Sequence, residues 1–146
     1  MSKILSIVSG VIFAAAVAAC GGGGGSAPVS TITGNVVKGP VNGATVTFKK
    51  ADGTVLGSQQ TGSIGAYSFE TTYQGDITIE ATGGSYTDEA TGLSKNLTDT
   101  LVTVVKTSGN QVVGMVTPFT TMAVKYSTQN NKLPTASVLA QAAQTL

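Results

Sequence analysis

The sequence predicts a mostly β protein: an antiparallel sandwich followed by one or two helices. Three observations carry this prediction. From Val29 to Thr117, apolar and polar residues alternate with a period of two in short stretches, the pattern of half-buried strands. Gly, Asn, Asp and Pro recur between those stretches, where the chain must turn. Past Pro118 the apolar spacing changes to three and four, the period of a helix. A chain of 146 residues suits one domain able to bury a core of its own.

The first element is an address segment. Lys3 supplies a positive start, the stretch from Ile4 to Ala16 is apolar, and small residues follow, which are the three parts of a secretory signal. The stretch is shorter than the ~20 apolar residues a stable membrane span needs. Val17-Ala18-Ala19-Cys20 sets an aliphatic residue and two small ones before the only cysteine of the chain. This run resembles the lipobox of bacterial lipoproteins. The resemblance implies cleavage between Ala19 and Cys20, diacylation of the Cys20 thiol, traceable with palmitate, and acylation of the new amine. Each buried methylene contributes about 0.8 kcal/mol, so two or three acyl chains hold a protein at a membrane without a spanning helix. A bacterial cell-envelope location follows from the same resemblance. Gly21 stands where an aspartate would signal retention in the inner membrane of Gram-negative bacteria, which favours the outer membrane. Cleavage also removes Lys3, one of 8 lysines in a chain without arginine, and leaves the rest level with the 7 acidic residues. A neutral domain is not drawn to anionic headgroups by charge, so the membrane contact rests on the lipid alone.

Gly21 to Gly25 and Ser26 then form a tether. Such a sequence behaves as a flexible coil, and six residues reach roughly 13 Å r.m.s.. No strand precedes these glycines and no Lys-Ser/Thr pair follows them, so they do not make a phosphate-binding loop. The predicted organisation is a signal over 1–19, the lipidated cysteine and tether over 20–28, the sandwich over 29–117 and a helical segment over 118–146.

Within the sandwich, Ile32, Gly34 and Val36 share one face of the first strand, alternating with Thr31, Thr33 and Asn35. Gly39-Pro40 and Asn42-Gly43 punctuate the next connection. Ala44, Val46 and Phe48 share a face, and Ala51-Asp52-Gly53 is a hairpin turn leading into Val55-Leu56. After the loop from Thr61 to Gly65, Tyr67 and Phe69 share a face; Ile77, Ile79 and Ala81 share the next. Leu101 to Val105 and Val112 to Val116 are more continuously apolar, which predicts cover on both sides.

The order Thr33-Gly34-Asn35-Val36-Val37, Gly39-Pro40-Val41-Asn42-Gly43-Ala44-Thr45-Val46, Ala51-Asp52-Gly53 and Gly65-Ala66-Tyr67-Ser68-Phe69 resembles the carboxypeptidase regulatory-like family. That family is related to the collagen-adhesin B-type and transthyretin-like domains. The match covers about Ser30 to Ala81. It implies an Ig-like or prealbumin-like sandwich of seven strands or so and no catalysis, since such modules serve as spacers, adhesive units or regulatory appendages. Gly43 and Gly53 suit tight turns, and Tyr67 and Phe69 suit the space between sheets.

The segment from Ala81 to Gly92 and the run Val116-Thr117-Pro118-Phe119-Thr120-Thr121-Met122-Ala123 are similar to segments of bacterial lipoproteins carrying this domain. Thr117 is suited to cap a helix and Pro118 to its first position. Phe119, Met122, Ala123 and Tyr126 fall on one helix face, expected to pack on the sandwich. A second helix is expected from about Thr135, with Leu139, Ala142, Ala143 and Leu146 on one face. The pattern carries no stop signal before the last residue, and the relatives continue into a helical region, so a longer protein is expected.

Composition narrows the chemistry. With no histidine there is no imidazole base or ligand, and one cysteine allows neither an internal disulfide nor a thiolate cluster. A net charge of +1 without a basic stripe argues against nucleic acid. Asp88 and Glu89, with Asp99 or Asp52, are candidate calcium ligands, but no EF-hand spacing is present and adjacent acids are common on solvated loops. Adjacent carboxylates on a strand point to opposite faces, which argues against a catalytic pair. The collagen-adhesin resemblance raises a Lys–Asn crosslink of Lys38, Lys49 or Lys50 with Asn96 beside Glu80; lysines at strand ends are more often simply solvated. Tyr73 and Tyr86 are the candidate sugar-stacking residues, against the simpler reading that both pack loops down. The resulting expectation is a non-catalytic, cofactor-free, lipid-anchored structural or interaction module. Its alternatives are a carbohydrate-binding or adhesin subunit, with a glycan or protein ligand, and the anchoring part of a longer secreted protein.

Overall fold

The computed structural model describes residues 25–142 and Gln144, so Ala19 and Cys20 lie outside the described residues, as do Ala143 and Leu146. The elements are β1 (Ser30–Asn35), β2 (Thr45–Lys50), β3 (Val55–Gln60), β4 (Ala66–Thr71), β5 (Gly75–Thr82), β6 (Ser85–Thr87), β7 (Ser94–Asn96), β8 (Leu101–Thr107), β9 (Gln111–Val113), α1 (Pro118–Gln129) and α2 (Ala136–Ala142). Sheets β3-β2-β5-β8 and β4-β1-β9 form the two layers, and β6-β7 is a separate hairpin. The fold is therefore the expected sandwich with two C-terminal helices.

The period-two faces are those that are buried. Ile32 and Val36, then Ala44, Val46 and Phe48, then Ile77, Ile79 and Ala81 form one core with Tyr67, Leu101 and Val105. Phe48 lies at its centre. Its ring stacks on Phe69 at 4.1 Å and 8°, and meets Tyr67 edge-on at 5.7 Å. Turn chemistry also holds: Gly53 has φ 86°, and the Asp52 carboxylate accepts from the Thr54 N–H at 2.8 Å.

Two features depart from the expected pattern. β9 runs parallel to β1, with Thr31, Ile32 and Thr33 opposite Gln111, Val112 and Val113, because the chain crosses between sheets after β8. Residues 112–116 are also not covered on both sides. β9 is an edge strand with an open outer face, leaving Val113 68% exposed, while Val116 is buried. β8 does meet the expectation: Leu101 and Val105 face the sandwich core, and Val104 faces the helices.

The β1–β9 seam depends on two glycines and a tyrosine. Beyond Val113, the Gly114 carbonyl turns into the core and accepts from the Tyr67 hydroxyl at 2.5 Å. Burial pushes the Tyr67 phenol above its ordinary value of 10. The folded state therefore keeps a proton that the unfolded chain gives up, so this contribution is complete below about pH 10 and falls as pH rises beyond it. Urea melts on both sides of about pH 10 are expected to show a loss of stability on the alkaline side that flattens in Tyr67→Phe. An unchanged slope in the variant would assign the alkaline loss to other groups.

α1 begins as predicted and then turns a different face inward. Thr117 and Thr120 form a reciprocal capping box at 3.0 and 3.1 Å, with Pro118 in the first turn. The Thr121 hydroxyl accepts from the Val102 N–H at 2.8 Å, and the Thr120 hydroxyl donates to the Val102 carbonyl at 2.8 Å. Two threonines thus satisfy backbone groups on β8, the outer strand of its sheet. Those bonds set the rotation of the helix. Thr121, Ala123 and Ser127 are buried, whereas Phe119, Met122 and Tyr126 are exposed. Only Ala123 of the expected core stripe is in the core. α2 begins where expected, with the Asp76 carboxylate accepting from the Ala136 N–H at 3.1 Å, and buries Leu139 and Ala142 beside Val104 and Ala123.

The sandwich has two distinct poles. Ser30, at the start of β1, lies opposite Thr71 and accepts from the Gly109 N–H, and Gln74 donates to the Pro28 carbonyl. The tether therefore enters at the pole formed by the β4–β5 and β8–β9 connections. The β6–β7 hairpin is pinned at the other, where Asn42 and Ser85 exchange backbone bonds at 2.8 and 2.9 Å.

Candidate functional site

Three of the candidate ligand and metal residues meet at the hairpin pole. Tyr86, Asp88 and Glu89 line an open groove of about 430 Å³ with Val37, Lys38 and Gly39. Contiguity along the hairpin accounts for the first three. Lys38 arrives from the β1–β2 connection, held by its bond to Asp99 at 3.2 Å and lying 5.6 Å from the centre of the Tyr86 ring. That bond to Asp99 raises the Lys38 ammonium above its ordinary value.

Asp88 is committed to the fold. One carboxylate oxygen accepts from the Ala90 and Thr91 N–H groups at 3.0 and 3.2 Å, and the other pairs with Lys95. The Lys95 ammonium, with those backbone donors, holds the Asp88 carboxyl below the usual carboxylate value. Glu89 is exposed beside it. Among the described residues no group of three or more His, Cys, Asp and Glu side chains is placed to hold a metal ion. A cation at Asp88 would compete with the Lys95 ammonium for one carboxylate oxygen and with the two backbone N–H groups for the other.

The two tyrosines are separated by the length of the sandwich. Tyr73 is at the tether pole, half-buried, with its carbonyl accepting from the Thr107 hydroxyl at 2.8 Å and Lys50 lying 5.2 Å from its ring. Tyr86 is half-buried against the core beneath Lys38. Both pack loops down, so they do not make one stacking platform. The lysines considered for a crosslink also have other neighbours. Lys49 pairs with Glu80 at 2.5 Å, Lys38 with Asp99, and Lys50 lies over Tyr73, whereas Asn96 is exposed on β7 opposite Ser85.

The groove thus holds Tyr86 with two charges paired to neighbours, Lys38 to Asp99 and Asp88 to Lys95, and an exposed Glu89. Sequence reading missed Lys38 as its wall and the α1 surface as an apolar feature. The first depends on a tertiary approach, and the second was hidden by threonines that read as polar helix residues.

No family model matches the chain, and no curated protein matches it. Among solved structures it is similar to a variant of BcpA, the major pilin subunit of Bacillus cereus, at 19% identity and a TM-score of 0.44, over 60% of this chain and 29% of that one. It is similar to a DUF3823 family protein from Parabacteroides merdae at 14% identity and a TM-score of 0.42, over 62% of this chain and 46% of that one. A further likeness is to BcpA itself, at 20% identity and a TM-score of 0.42, over 61% and 30%. The chain spans less than half the length of each.

Proposed function

We propose that this chain is a non-catalytic, lipid-anchored module of the bacterial cell envelope, held at the outer membrane through acylated Cys20. The observation that carries this reading is the position of the only cysteine, directly after Val17-Ala18-Ala19 and directly before five glycines. Two structural facts support it. Among the described residues no helix is long and apolar enough to cross a membrane. In the hairpin groove Lys38 is paired with Asp99, and Asp88 with Lys95 and two backbone N–H groups, as suits a module that presents a surface.

Processing tests the reading. Globomycin, which blocks the lipoprotein signal peptidase, is expected to make an uncut precursor accumulate, and Cys20→Ala is expected to abolish labelling with palmitate. Normal processing of an unlabelled chain would refute the anchor.

A further inference from the structure

We infer that α1 is a pairing surface for a second copy of this chain on the same membrane, with the two helices side by side and parallel; this rests on the lipid-anchored reading. Phe119, Met122 and Tyr126 are 53%, 50% and 47% exposed on a helix whose opposite face is occupied by β8. Their spacing of three and then four residues is that of the apolar seam between two parallel helices.

The topology selects the partner and the direction. α1 starts at Val102, near the first residues of β8, and its connection to α2 arrives at Asp76, which lies opposite Lys106 near the last ones. The helix thus runs from pole to pole, and the tether enters at one pole. An anchored copy presents this stripe sideways, toward other copies in the membrane plane. Pairing head to tail would lift the second tether origin by more than the length of β8, about 23 Å at the rise of a strand, against a tether reach of roughly 13 Å r.m.s.. Parallel pairing leaves both tethers at the membrane.

Area sets the strength. Three half-exposed side chains of this size offer about 300 Å² per copy, well below the ~800 Å² per partner of a stable interface. The contact is therefore too small for a dimer in dilute solution and becomes populated where anchoring raises the local concentration.

Single-cysteine crosslinking of the full chain in its membrane tests this, since acylation leaves Cys20 without a thiol. Phe119→Cys, Met122→Cys and Tyr126→Cys alter exposed positions, so folding is not at stake, and Gln59→Cys on β3 is the control. With copper phenanthroline as the oxidant, each of the three is expected to give a disulfide-linked homodimer about fivefold or more above the control in the membrane, and no excess over it when the oxidant is added only after dilution in detergent. Palmitate labelling is read in the same cells. Labelled chains without homodimers overturn the pairing alone, as would linkage to a different protein. Linkage confined to Met122→Cys overturns the parallel direction. Unlabelled chains overturn the anchor, and pairing in such chains would overturn its dependence on anchoring.

Discussion

Gly34→Ala is expected to destabilise the sandwich by at least ~3 kcal/mol, a large part of the 5–15 kcal/mol of a typical domain. Gly34 points into the core from β1, and a Cβ there would lie 1.8 Å from the Gly114 carbonyl oxygen and 2.8 Å from the Tyr67 hydroxyl. The first neighbour decides the magnitude. It is backbone, and it belongs to a segment held on both sides, by Gly114 N–H to Thr33 and by Val116 N–H to Asn35. Relief would require β9 to part from β1, with loss of the Tyr67–Gly114 bond. Gly114→Ala is expected to cost less, because its Cβ would meet the Tyr67 hydroxyl at 2.8 Å and the Ile79 methyl at 2.9 Å, both ends of side chains that can shift. Thermal unfolding should therefore fall by roughly 10 °C or more for Gly34→Ala, and by less for Gly114→Ala. A Gly34→Ala midpoint within about 2 °C of the parent would overturn the close approach.

This seam marks where sequence reading stops. Gly34 was legible as one member of an inward face, since strand periodicity reports which side of a residue is buried. Why it must be glycine was not, because its counterpart lies 80 positions away along the chain and meets it only through a parallel pairing. The same division runs through α1. Thr117 and Pro118 announced the helix start through local chemistry. The buried face did not follow from Phe119, Met122 and Tyr126, because two threonine hydroxyls bonded to Val102 outweigh the apolar stripe in setting its rotation. At the candidate site, Tyr86, Asp88 and Glu89 are neighbours by virtue of one hairpin, whereas Tyr73 and Lys38 take their places from register and ion pairing. Local pattern was sufficient for elements and turns; contacts between distant segments required the structure.

Phe48→Ala is the second large loss expected, at about 3–5 kcal/mol. Phe48 is fully buried on β2, the inner strand between β3 and β5, so neighbours on both sides limit how far the sheet can collapse into the space left behind. Its ring is also common to two aromatic contacts, stacked on Phe69 and edge-on to Tyr67. Phe69 is held where it is by Gly57, at which a Cβ would come within 2.7 Å of the Phe69 ring. Removing Phe48 thus leaves one ring without its stacking partner and the other without its edge contact, each worth about 0.5–1.5 kcal/mol beyond area. Phe69→Ala should cost less, since Phe69 is only half-buried and lines an open groove with Val29 and Leu56. Phe48→Leu should recover much of the loss by refilling volume without the stack. Chemical denaturation of the three variants ranks them, and a Phe48→Ala loss below about 1 kcal/mol, or one smaller than that of Phe69→Ala, would refute Phe48 as the centre of the core.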